Sequence, residues 1–300
     1  MSKNLTGVYP PIITCFTQDG EIYERGIRNV VSFLSEKGVN GLFVIGSYGS
    51  FPLMTDDERK RVAEIIFDEV KGRVPVIVHI GSAGTRRSIA LARHAQELGA
   101  EAVAAVTPFY YSGFAYKETE ILNHFEQIVK AVDVPVYLYN NPKTTYYTVS
   151  PTTLLKLADV GVQGLKDSSG DLMLFADYLN TVRPKHPDFN FMIGTVGLIQ
   201  PSYLFGARSC VAGTANVFPE LVLELVSKLE QGKHEEAKDL QLKVIQIRKI
   251  QAITGFRPAG CYTMLKMRGV DAGVPRLPWR LPNEEETKAM RRQLVEIGML

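Results

Sequence analysis

"RVPVIVHI", residues 73–80, decides the fold, because it is a short β-rich apolar run that leads into a helical pattern. That helical pattern, TRRSIALARHAQELGA at 85–100, starts on a capping residue and stops at a glycine. The strand pattern returns sixty residues later as DVPVYLYN, residues 133–140. Pro75 and Pro135 stand at the strand starts, where a missing N–H is tolerated. Two matched units of this kind indicate parallel strands with crossover helices.

Eight such apolar runs occur along the chain with helical patterns between them. They are GVYPPIITCF, VNGLFVIG, VPVIVHIG, EAVAAVTP, VPVYLYNN, VQGLKD, FNFMIGT and SCVAGTAN. Eight units in roughly 220 residues are the count that closes a (β/α)₈ barrel. An open doubly wound sheet is disfavoured, since no GxGxxG follows the first run. We therefore predict an α/β fold, with a (β/α)₈ TIM barrel over 1–224 and a small C-terminal helical domain over 225–300, where strand signals stop.

Composition favours a small soluble partner. The chain has 300 residues, of which 45% are hydrophobic and 22% charged, so it can bury a large core. Its net charge of +2 comes from 34 basic and 32 acidic residues that are well mixed along the chain. No basic stripe indicates a nucleic-acid or anionic-membrane partner.

The three cysteines, Cys15, Cys210 and Cys261, lie far apart without a CxxC pair. This spacing argues against a disulfide framework and a structural zinc site, and it favours a reducing compartment. No apolar stretch approaches the roughly 20 residues of a membrane helix, and the start of the chain has no apolar run after its early lysine. We expect a cytoplasmic protein.

Active sites of such barrels lie at the carboxyl ends of the strands. The residues at these ends are Thr14, the GSYGS turn at 46–50, His79, Thr107, Tyr139, Asn140, Lys166, Gly194, Thr195, Gly213 and Thr214. They include one cation and no carboxylate cluster, and His79 alone cannot build a divalent-metal site.

Lys166 is the candidate nucleophile, because an amine in a dry barrel mouth can attack a ketone to form a Schiff base. At an unperturbed pKa of about 10.4, roughly one molecule in 2,500 carries a free amine at pH 7, so burial has to lower the pKa by about 2 to 3 units. The alternative is a structural lysine that reaches water or pairs with Asp167. Strand alternation turns Asp167 to the opposite side, which favours the catalytic interpretation.

Other residues at the strand ends keep two interpretations each. Tyr139 could relay protons to the amine or merely cap the barrel layer. His79 fits a barrel-layer residue better than a catalyst. Lys143 fits a solvated side chain better than a catalyst, although it could attract an acidic substrate. The stretches IGTVG and VAGTAN, at 193–197 and 211–216, could form a phosphate cradle, so a phosphorylated substrate stays open.

The chain resembles the dihydrodipicolinate synthase and N-acetylneuraminate lyase family of Schiff-base class I aldolases. The resemblance covers essentially the whole chain and rests on several motifs in the family's order. These are GVYPPIITCFTQDGEI, GSYGSFPLMTDDER, VTPFYY, YLYNNP, GLKDSSGD, AGTANVFPE and GVPRLPW. It implies that Lys166 forms the imine and that Tyr139 relays protons. Ser47 matches a threonine that hydrogen-bonds this tyrosine. Tyr110 matches a tyrosine that reaches the neighbouring subunit's site, which implies a homo-oligomer, commonly a tetramer built as a dimer of dimers.

The predicted substrate-binding residues are inferred partly from the local sequence and partly from the family resemblance. The glycines of the GSYG turn, beginning at Gly46, let backbone N–H groups face the pocket, and Ser47 adds a hydroxyl, which suits a carboxylate or phosphate. Tyr48 follows in the same turn. The resemblance implies that the backbone of Gly194 and Val211 lines the pocket near the imine.

Two departures from the family pattern bear on the substrate. Members usually carry Gly-x-Thr-Gly-Glu at the carboxylate turn, where this chain has Tyr48 and Ser50, so we expect a smaller or reshaped cavity. The synthases place an arginine where this chain has Thr144, which cannot make a bidentate carboxylate contact. Synthesis from aspartate semialdehyde is therefore disfavoured unless Lys143 substitutes.

The sequence thus predicts a Schiff-base class I aldolase or lyase that acts on pyruvate or a 2-oxo-3-deoxy acid at the C3–C4 bond. We expect no metal or organic cofactor, because the imine is the electron sink. The expected partners are a 2-oxo acid and an aldehyde. The alternatives are a 2-oxo-3-deoxy sugar-acid dehydratase, a dihydrodipicolinate synthase and a non-catalytic pyruvate-binding relative.

Overall fold

The structure, a computed structural model, describes residues 5–112 and 116–300. These residues group into two compact units. The first contains the N-terminal segment through Gly7 together with Pro75–Val211, and the second contains Val8–Val74 and Ala212–Leu300.

Within the described residues there are eight β-strands and twelve α-helices. The strands are β1 Gly7–Val8, β2 Leu42–Val44, β3 Val76–His79, β4 Ala102–Val106, β5 Val136–Asn140, β6 Gly164–Asp167, β7 Asn190–Ile193 and β8 Ser209–Cys210. The helices are α1 Glu24–Glu36, α2 Asp56–Val70, α3 Thr85–Glu97, α4 Glu118–Val129, α5 Pro142–Thr145, α6 Pro151–Asp159, α7 Leu172–Val182, α8 Ile199–Leu204, α9 Pro219–Glu230, α10 His234–Gln251, α11 Arg257–Met267 and α12 Glu284–Glu296.

The first unit carries a parallel sheet in which β3 to β8 follow one another in sequence order. Every residue of these six strands is buried. Near-continuous burial is typical of parallel strands that have helices along their faces, and it explains the apolar runs in the sequence. Because neighbouring strands run the same way, their carboxyl ends meet at one edge of the sheet.

The second unit contains β2, α1, α2 and the C-terminal helices α9 to α12. Helix α2 begins with a capping box, in which the Thr55 hydroxyl accepts from the Glu58 N–H and the Glu58 carboxylate accepts from the Thr55 N–H. Such a box satisfies two N-terminal donors that the helix itself leaves unpaired. Residue Phe16 bridges to Ile22 and to Val274 in antiparallel fashion.

The element predictions are confirmed in their main points. Each of the eight apolar runs contains one strand, and α10, α11 and α12 occupy the predicted C-terminal helical stretches. The segment 273–282, which precedes α12, has no helix. The three cysteines are buried and unoxidised. The predicted domain boundary after residue 224 falls inside α9 and stays a prediction.

No helix among the described residues is long and apolar enough to span a bilayer.

Candidate active site

Lys166 lies in β6, next to Tyr139 of β5. The two residues are partners in the register of the parallel pair, and Lys166 is only 3% exposed. The Lys166 Nζ atom lies 3.8 Å from the centroid of the Tyr139 ring, over its face. The structure therefore brings the two principal predicted catalytic residues into contact.

Burial lowers the pKa of Lys166 well below its usual range. The physical cause is desolvation, because an ammonium loses its hydration when it leaves water while a neutral amine loses little. An aromatic face compensates a cation only in part. The direction of this shift is the one that a nucleophilic amine requires near neutral pH.

The lowered pKa makes a prediction about stability. Between the lowered pKa of the folded chain and the usual lysine pKa of about 10.4, the unfolded chain binds more protons than the folded chain, so the contribution of Lys166 to the free energy of unfolding rises with pH across that interval. We expect Lys166→Met to raise the free energy of unfolding at pH 7, by about 1.4 kcal/mol for each unit of pKa depression, and to raise it much less at pH 10. Urea unfolding at both pH values measures the difference.

The control for this experiment is Lys130→Met. Lys130 is 62% exposed and pairs with Glu126 on the same helix, so its removal is expected to change the free energy of unfolding by no more than about 0.5 kcal/mol. An equal gain in the free energy of unfolding from Lys166→Met at pH 7 and at pH 10 would contradict a buried amine with a lowered pKa.

Tyr139 is held by two further side chains of the first unit. The Asn141 Nδ2 group donates to the Tyr139 hydroxyl at 3.3 Å, and the His79 ring meets the Tyr139 ring edge-on at 5.9 Å between centroids. The Val106 N–H in turn donates to His79 Nε2 at 3.3 Å. This contact supports the interpretation of His79 as a barrel-layer residue that helps to position Tyr139.

A buried polar network lies directly behind the two catalytic candidates. The Asn140 Nδ2 group donates to Asp167 Oδ1 at 2.8 Å and to the Tyr178 hydroxyl at 3.1 Å. The Ser169 hydroxyl donates to Asp167 Oδ2 at 2.7 Å, and the Tyr178 hydroxyl donates to the Val149 carbonyl. Burial raises the pKa of Asp167 to about 6. These neutral donors keep the carboxylate in place without a cation.

The network ties the ends of β5 and β6 together. Asn140 and Asp167 are register partners one residue after the partners Tyr139 and Lys166. A strand alternates its side chains, so the Asn140–Asp167 bond holds the two strands together on one face while the amine and the phenol meet on the other. The prediction that Asp167 turns away from Lys166 agrees with these contacts.

Gly194 follows β7 and lies against the end of β6. Its N–H donates to the Asp167 carbonyl at 2.6 Å, and a Cβ built on it would lie only 2.2 Å from Ser168 Oγ. Any larger residue at this position would displace the end of the strand that carries Lys166. Val211 follows β8, is buried, and donates its N–H to the Ile193 carbonyl at 2.8 Å. The roles of Gly194 and Val211 at the imine stay predictions.

Tyr110 lies on the surface of the first unit, in the loop after β4. Its side chain is 79% exposed, and its ring meets that of Tyr111 edge-on at 5.1 Å. The backbone of Tyr110 has a φ of 80°, an unusual value for a residue with a side chain. Its role toward a neighbouring subunit stays a prediction.

The GSYGS turn at 46–50 lies in the second unit and has a strained backbone. The β-branched Ile45 has a φ of 57° and Ser50 a φ of 55°, and both side chains are buried. The Gly46 carbonyl accepts from the Phe51 N–H at 3.4 Å, and the Ser47 carbonyl accepts from the Ser50 N–H at 3.3 Å. Strain of this kind persists only where the surroundings enforce it, and it clusters at ligand sites. The assignment of this turn to a substrate carboxylate stays a prediction.

Tyr48 of this turn is directed at Gly213, also in the second unit. A Cβ built on Gly213 would lie 2.3 Å from the Tyr48 hydroxyl oxygen, so position 213 accommodates the ring only because it is glycine. Tyr48 departs from the expected turn pattern, and its large ring fits because Gly213 has no side chain. Its effect on the substrate cavity stays a prediction.

A model of the dihydrodipicolinate synthetase family matches residues 4–297 of the chain. The chain belongs to this family. The chain is 33% identical over its whole length to a 4-hydroxy-tetrahydrodipicolinate synthase of Methanopyrus kandleri, covering 99% of that protein. It is 32% identical to the probable 2-dehydro-3-deoxy-D-pentonate aldolase YjhH of Escherichia coli, with 95% of each chain covered.

A solved structure extends the comparison to the fold. YagE, a family member from Escherichia coli K12 crystallised with pyruvate, superposes with a TM-score of 0.93 at 27% identity, over 98% of this chain and 99% of its own. The predicted TIM-barrel fold with C-terminal helices and the predicted family are thereby confirmed. The protein is an enzyme, a lyase or aldolase of the dihydrodipicolinate synthetase family.

The sequence interpretation missed the polar network of this family member and the bond from Asn141 to Tyr139. The signal was present in the motifs YLYNNP and GLKDSSGD, which hold three of the network's side chains. What was missing was the β5–β6 register, which pairs Asn140 with Asp167. Tyr178 and Val149 come from outside both motifs, so only the folded chain reveals them.

Proposed function

We propose that this protein is a Schiff-base-forming class I aldolase that cleaves or forms the C3–C4 bond of 2-oxo-3-deoxy acids, with pyruvate as the three-carbon product or donor. One observation carries the proposal: the amine of Lys166 is buried against the Tyr139 ring, with a pKa that burial lowers. The aldolase description of YjhH and the pyruvate bound to YagE support this substrate class.

The proposed reaction uses Lys166 as a nucleophile. Its nitrogen attacks C2 of the 2-oxo acid, and the resulting carbinolamine loses water to give a protonated imine. In the cleavage direction the C4 hydroxyl loses its proton, the C3–C4 bond breaks with its electrons moving toward the imine, and an aldehyde leaves. The remaining enamine takes a proton at C3, and water then releases pyruvate and restores the amine.

Tyr139 is the group that we assign to the proton transfers. Its ring lies beside the amine, and its hydroxyl is oriented by the Asn141 side chain. A positioned phenol can give a proton to the departing water and take one from the C4 hydroxyl. The protonated imine serves as the electron sink, so the proposed reaction needs no metal or organic cofactor.

Thr144 argues against synthesis from aspartate semialdehyde. Its hydroxyl donates to the Asn141 carbonyl at 3.2 Å, within its own short helix. A hydroxyl used in this way does not replace the guanidinium that the synthases place at the aligned position, because a guanidinium binds a carboxylate through two parallel bonds. An aldolase therefore fits this chain better than the synthase activity of the Methanopyrus relative.

Three further assignments belong to the proposal and rest on the sequence and on the family resemblance. The turn with Gly46, Ser47 and Tyr48 orients the substrate carboxylate, with the backbone of Gly194 and Val211 near the imine. Tyr110 completes the site of a neighbouring subunit in a homotetramer. The protein works in the cytoplasm.

The test is borohydride trapping. The protein is treated with pyruvate and sodium borohydride, and the product is analysed by intact-mass and peptide mass spectrometry. We expect one reduced pyruvyl adduct per chain, confined to the peptide that contains Lys166. No adduct in a well-folded protein would contradict the proposal.

Product analysis on a panel of 2-oxo-3-deoxy acids separates the remaining alternatives. Pyruvate together with an aldehyde identifies the aldolase that we propose, whereas a dehydrated oxo acid identifies a dehydratase that uses the same imine. An adduct without turnover on any member of the panel identifies a pyruvate-binding relative.

A further inference from the structure

The C-terminal helices of the second unit border an open cavity of about 940 Å³. Its walls include α11, α12 and the segment 269–274 that follows α11, and every residue that lines it belongs to the second unit. Ligand sites in proteins commonly have volumes of roughly 300 to 1,000 Å³. The cavity is therefore large enough for a small organic molecule, and none of its lining residues has a part in the proposed aldolase reaction.

Helices α11 and α12 each present a hydroxyl and a cation to this cavity. On α11 these are Thr263 and Lys266, and on α12 they are Thr287 and Arg291. Residues three or four positions apart lie on the same face of a helix. Two separate helices therefore supply the same pair of groups to one cavity.

The two cations of the cavity are not paired within the protein. Arg268 and Lys288, their neighbours in the sequence, each form a salt bridge with a glutamate. In the part of the chain that the structure describes, Lys266 and Arg291 form no ion pair. Both side chains are exposed, so they can reach a ligand at the mouth of the cavity.

One carboxylate lines the cavity, and it is occupied elsewhere. Asp271 accepts from the Tyr23 hydroxyl at 2.7 Å and from the Gly273 N–H at 3.1 Å. These two hydrogen bonds and the charges of Arg25 and Lys266 hold the pKa of Asp271 below its usual range. Two cations and one ionised carboxylate leave the cavity with a positive charge in excess, which attracts an anion.

The two hydroxyls have hydrogen-bonding capacity to spare. Among the described residues, the Thr263 hydroxyl has no hydrogen-bond partner, and the Thr287 hydroxyl donates to the Pro282 carbonyl only at 3.5 Å. That distance is long for a hydrogen bond between two oxygens. Both threonines are half-buried, so a ligand in the cavity can use their hydroxyls as donors.

We infer that this cavity, here called the α11–α12 site, binds a small organic anion: a carboxylate or a phosphate ester with an apolar body. The anionic group faces the cations and hydroxyls, since an ammonium and a guanidinium both bind either oxyanion. The apolar body faces the other side chains of the lining, which are Met267, Val270, Ala272, Val274 and Leu281. The inference goes beyond the proposed function and does not depend on it.

Two simpler ligands fit the α11–α12 site less well. An inorganic ion leaves the apolar part of the wall in contact with water, so it gains nothing from that surface. A neutral apolar molecule leaves the excess positive charge without a counter-charge. The site therefore favours molecules that combine both features.

The experiment is an NMR titration of the full-length protein with three probes. Phenylacetate and phenyl phosphate carry an apolar ring with a carboxylate or a phosphate, and benzyl alcohol is the neutral analogue. The variants are Lys266→Met and Arg291→Met, which each remove one charge, and Lys266→Arg, which keeps it. Lys288→Met is the matched control, because Lys288 is 73% exposed on α12, pairs with Glu284 and does not line the cavity.

We expect at least one anionic probe to bind with a dissociation constant of about 1 mM or below, and benzyl alcohol to bind at least tenfold more weakly. Lys266→Met and Arg291→Met should each weaken that anionic probe by about 10- to 100-fold, the range for a lost hydrogen bond to a charged group. Lys266→Arg and Lys288→Met should stay within about threefold of wild type. The anionic probe that binds more tightly identifies the oxyanion as a carboxylate or a phosphate.

Binding of a probe at the candidate active site has a separate signature. Lys166→Met should bind the anionic probe as wild type does, because Lys166 does not line the cavity. An affinity that falls in Lys166→Met but not in Lys266→Met or Arg291→Met would overturn the α11–α12 site. Equal binding of benzyl alcohol, or no saturable binding of either anionic probe up to about 10 mM, would overturn it as well. The titration contains no substrate, so its result is independent of borohydride trapping at Lys166.

Discussion

Lys166→Met is expected to abolish the reduced pyruvyl adduct and to lower kcat/KM by about 10⁴-fold or more. The covalent route replaces one difficult bond cleavage by several easier steps, and no other group can form the imine if Lys166 is the nucleophile. Methionine keeps most of the side-chain volume, so the packing against the Tyr139 ring is preserved. The measurements are peptide mass spectrometry after borohydride treatment and steady-state turnover of the best 2-oxo-3-deoxy acid.

Two controls make this result interpretable. Lys130→Met should keep both the adduct and the turnover, which excludes a general effect of removing a lysine. The urea unfolding experiment on Lys166→Met shows that the variant is folded. An adduct of wild-type yield in Lys166→Met would mean that a different amine forms the imine.

Tyr139→Phe is expected to lower kcat/KM by about 10²- to 10⁴-fold, the range typical of a lost general acid or base. The ring remains beside the amine, so the environment that lowers the pKa of Lys166 is largely kept. Lys166 should therefore still give a pyruvyl adduct, but at a lower rate. Quenched-flow trapping with borohydride measures that rate, and steady-state assays measure turnover.

Tyr137→Phe is the matched control for this prediction. Tyr137 lies two residues earlier on β5, so it faces the same side of the strand, and its hydroxyl accepts from Asn190 Nδ2 at 3.2 Å. Its loss removes a buried hydrogen bond without touching the proposed proton path, so we expect less than about a threefold change in kcat/KM. If Tyr137→Phe and Tyr139→Phe lower kcat/KM equally, both hydroxyls contribute only to packing.

The contact between Lys166 and Tyr139 depends on the residues that surround the two side chains. Asn140 and Asp167 lock the ends of β5 and β6, and Gly194 packs against β6 so closely that a methyl group would not fit. His79 and Asn141 act on Tyr139 from two sides. The contact between Lys166 and Tyr139 is thus set by a rigid surrounding, as precise active sites require.

Local physical rules explain how much of this protein could be predicted from its sequence. Apolar β-branched runs such as VPVIVHI predict buried parallel strands, and the Thr55 to Glu58 pattern predicts a capping box, because each depends on residues a few positions apart. The position of Lys166 at the end of such a run was enough to identify it as the candidate nucleophile. The family motifs extended these inferences to Tyr139.

Other features arise only from residues that are distant in the sequence. Tyr178 and Val149 join the network of Asn140 and Asp167 because helix and loop are folded onto the sheet, and no local pattern encodes that contact. Lys143 was interpreted from sequence as a solvated side chain, since charged loop residues usually are.

The sequence by itself determined the order of strands and helices, the family and the candidate nucleophile, because these follow from local patterns and from motifs. Only the tertiary structure decided that Lys166 is desolvated against an aromatic ring, since burial is a property of what surrounds a residue. Only the tertiary structure placed the Lys143 ammonium beside Gly170 and Thr195, because the side chains after three separate strands meet there through strand pairing. Sequence patterns specify the elements, whereas the distances that control charge and reactivity exist only once those elements are packed.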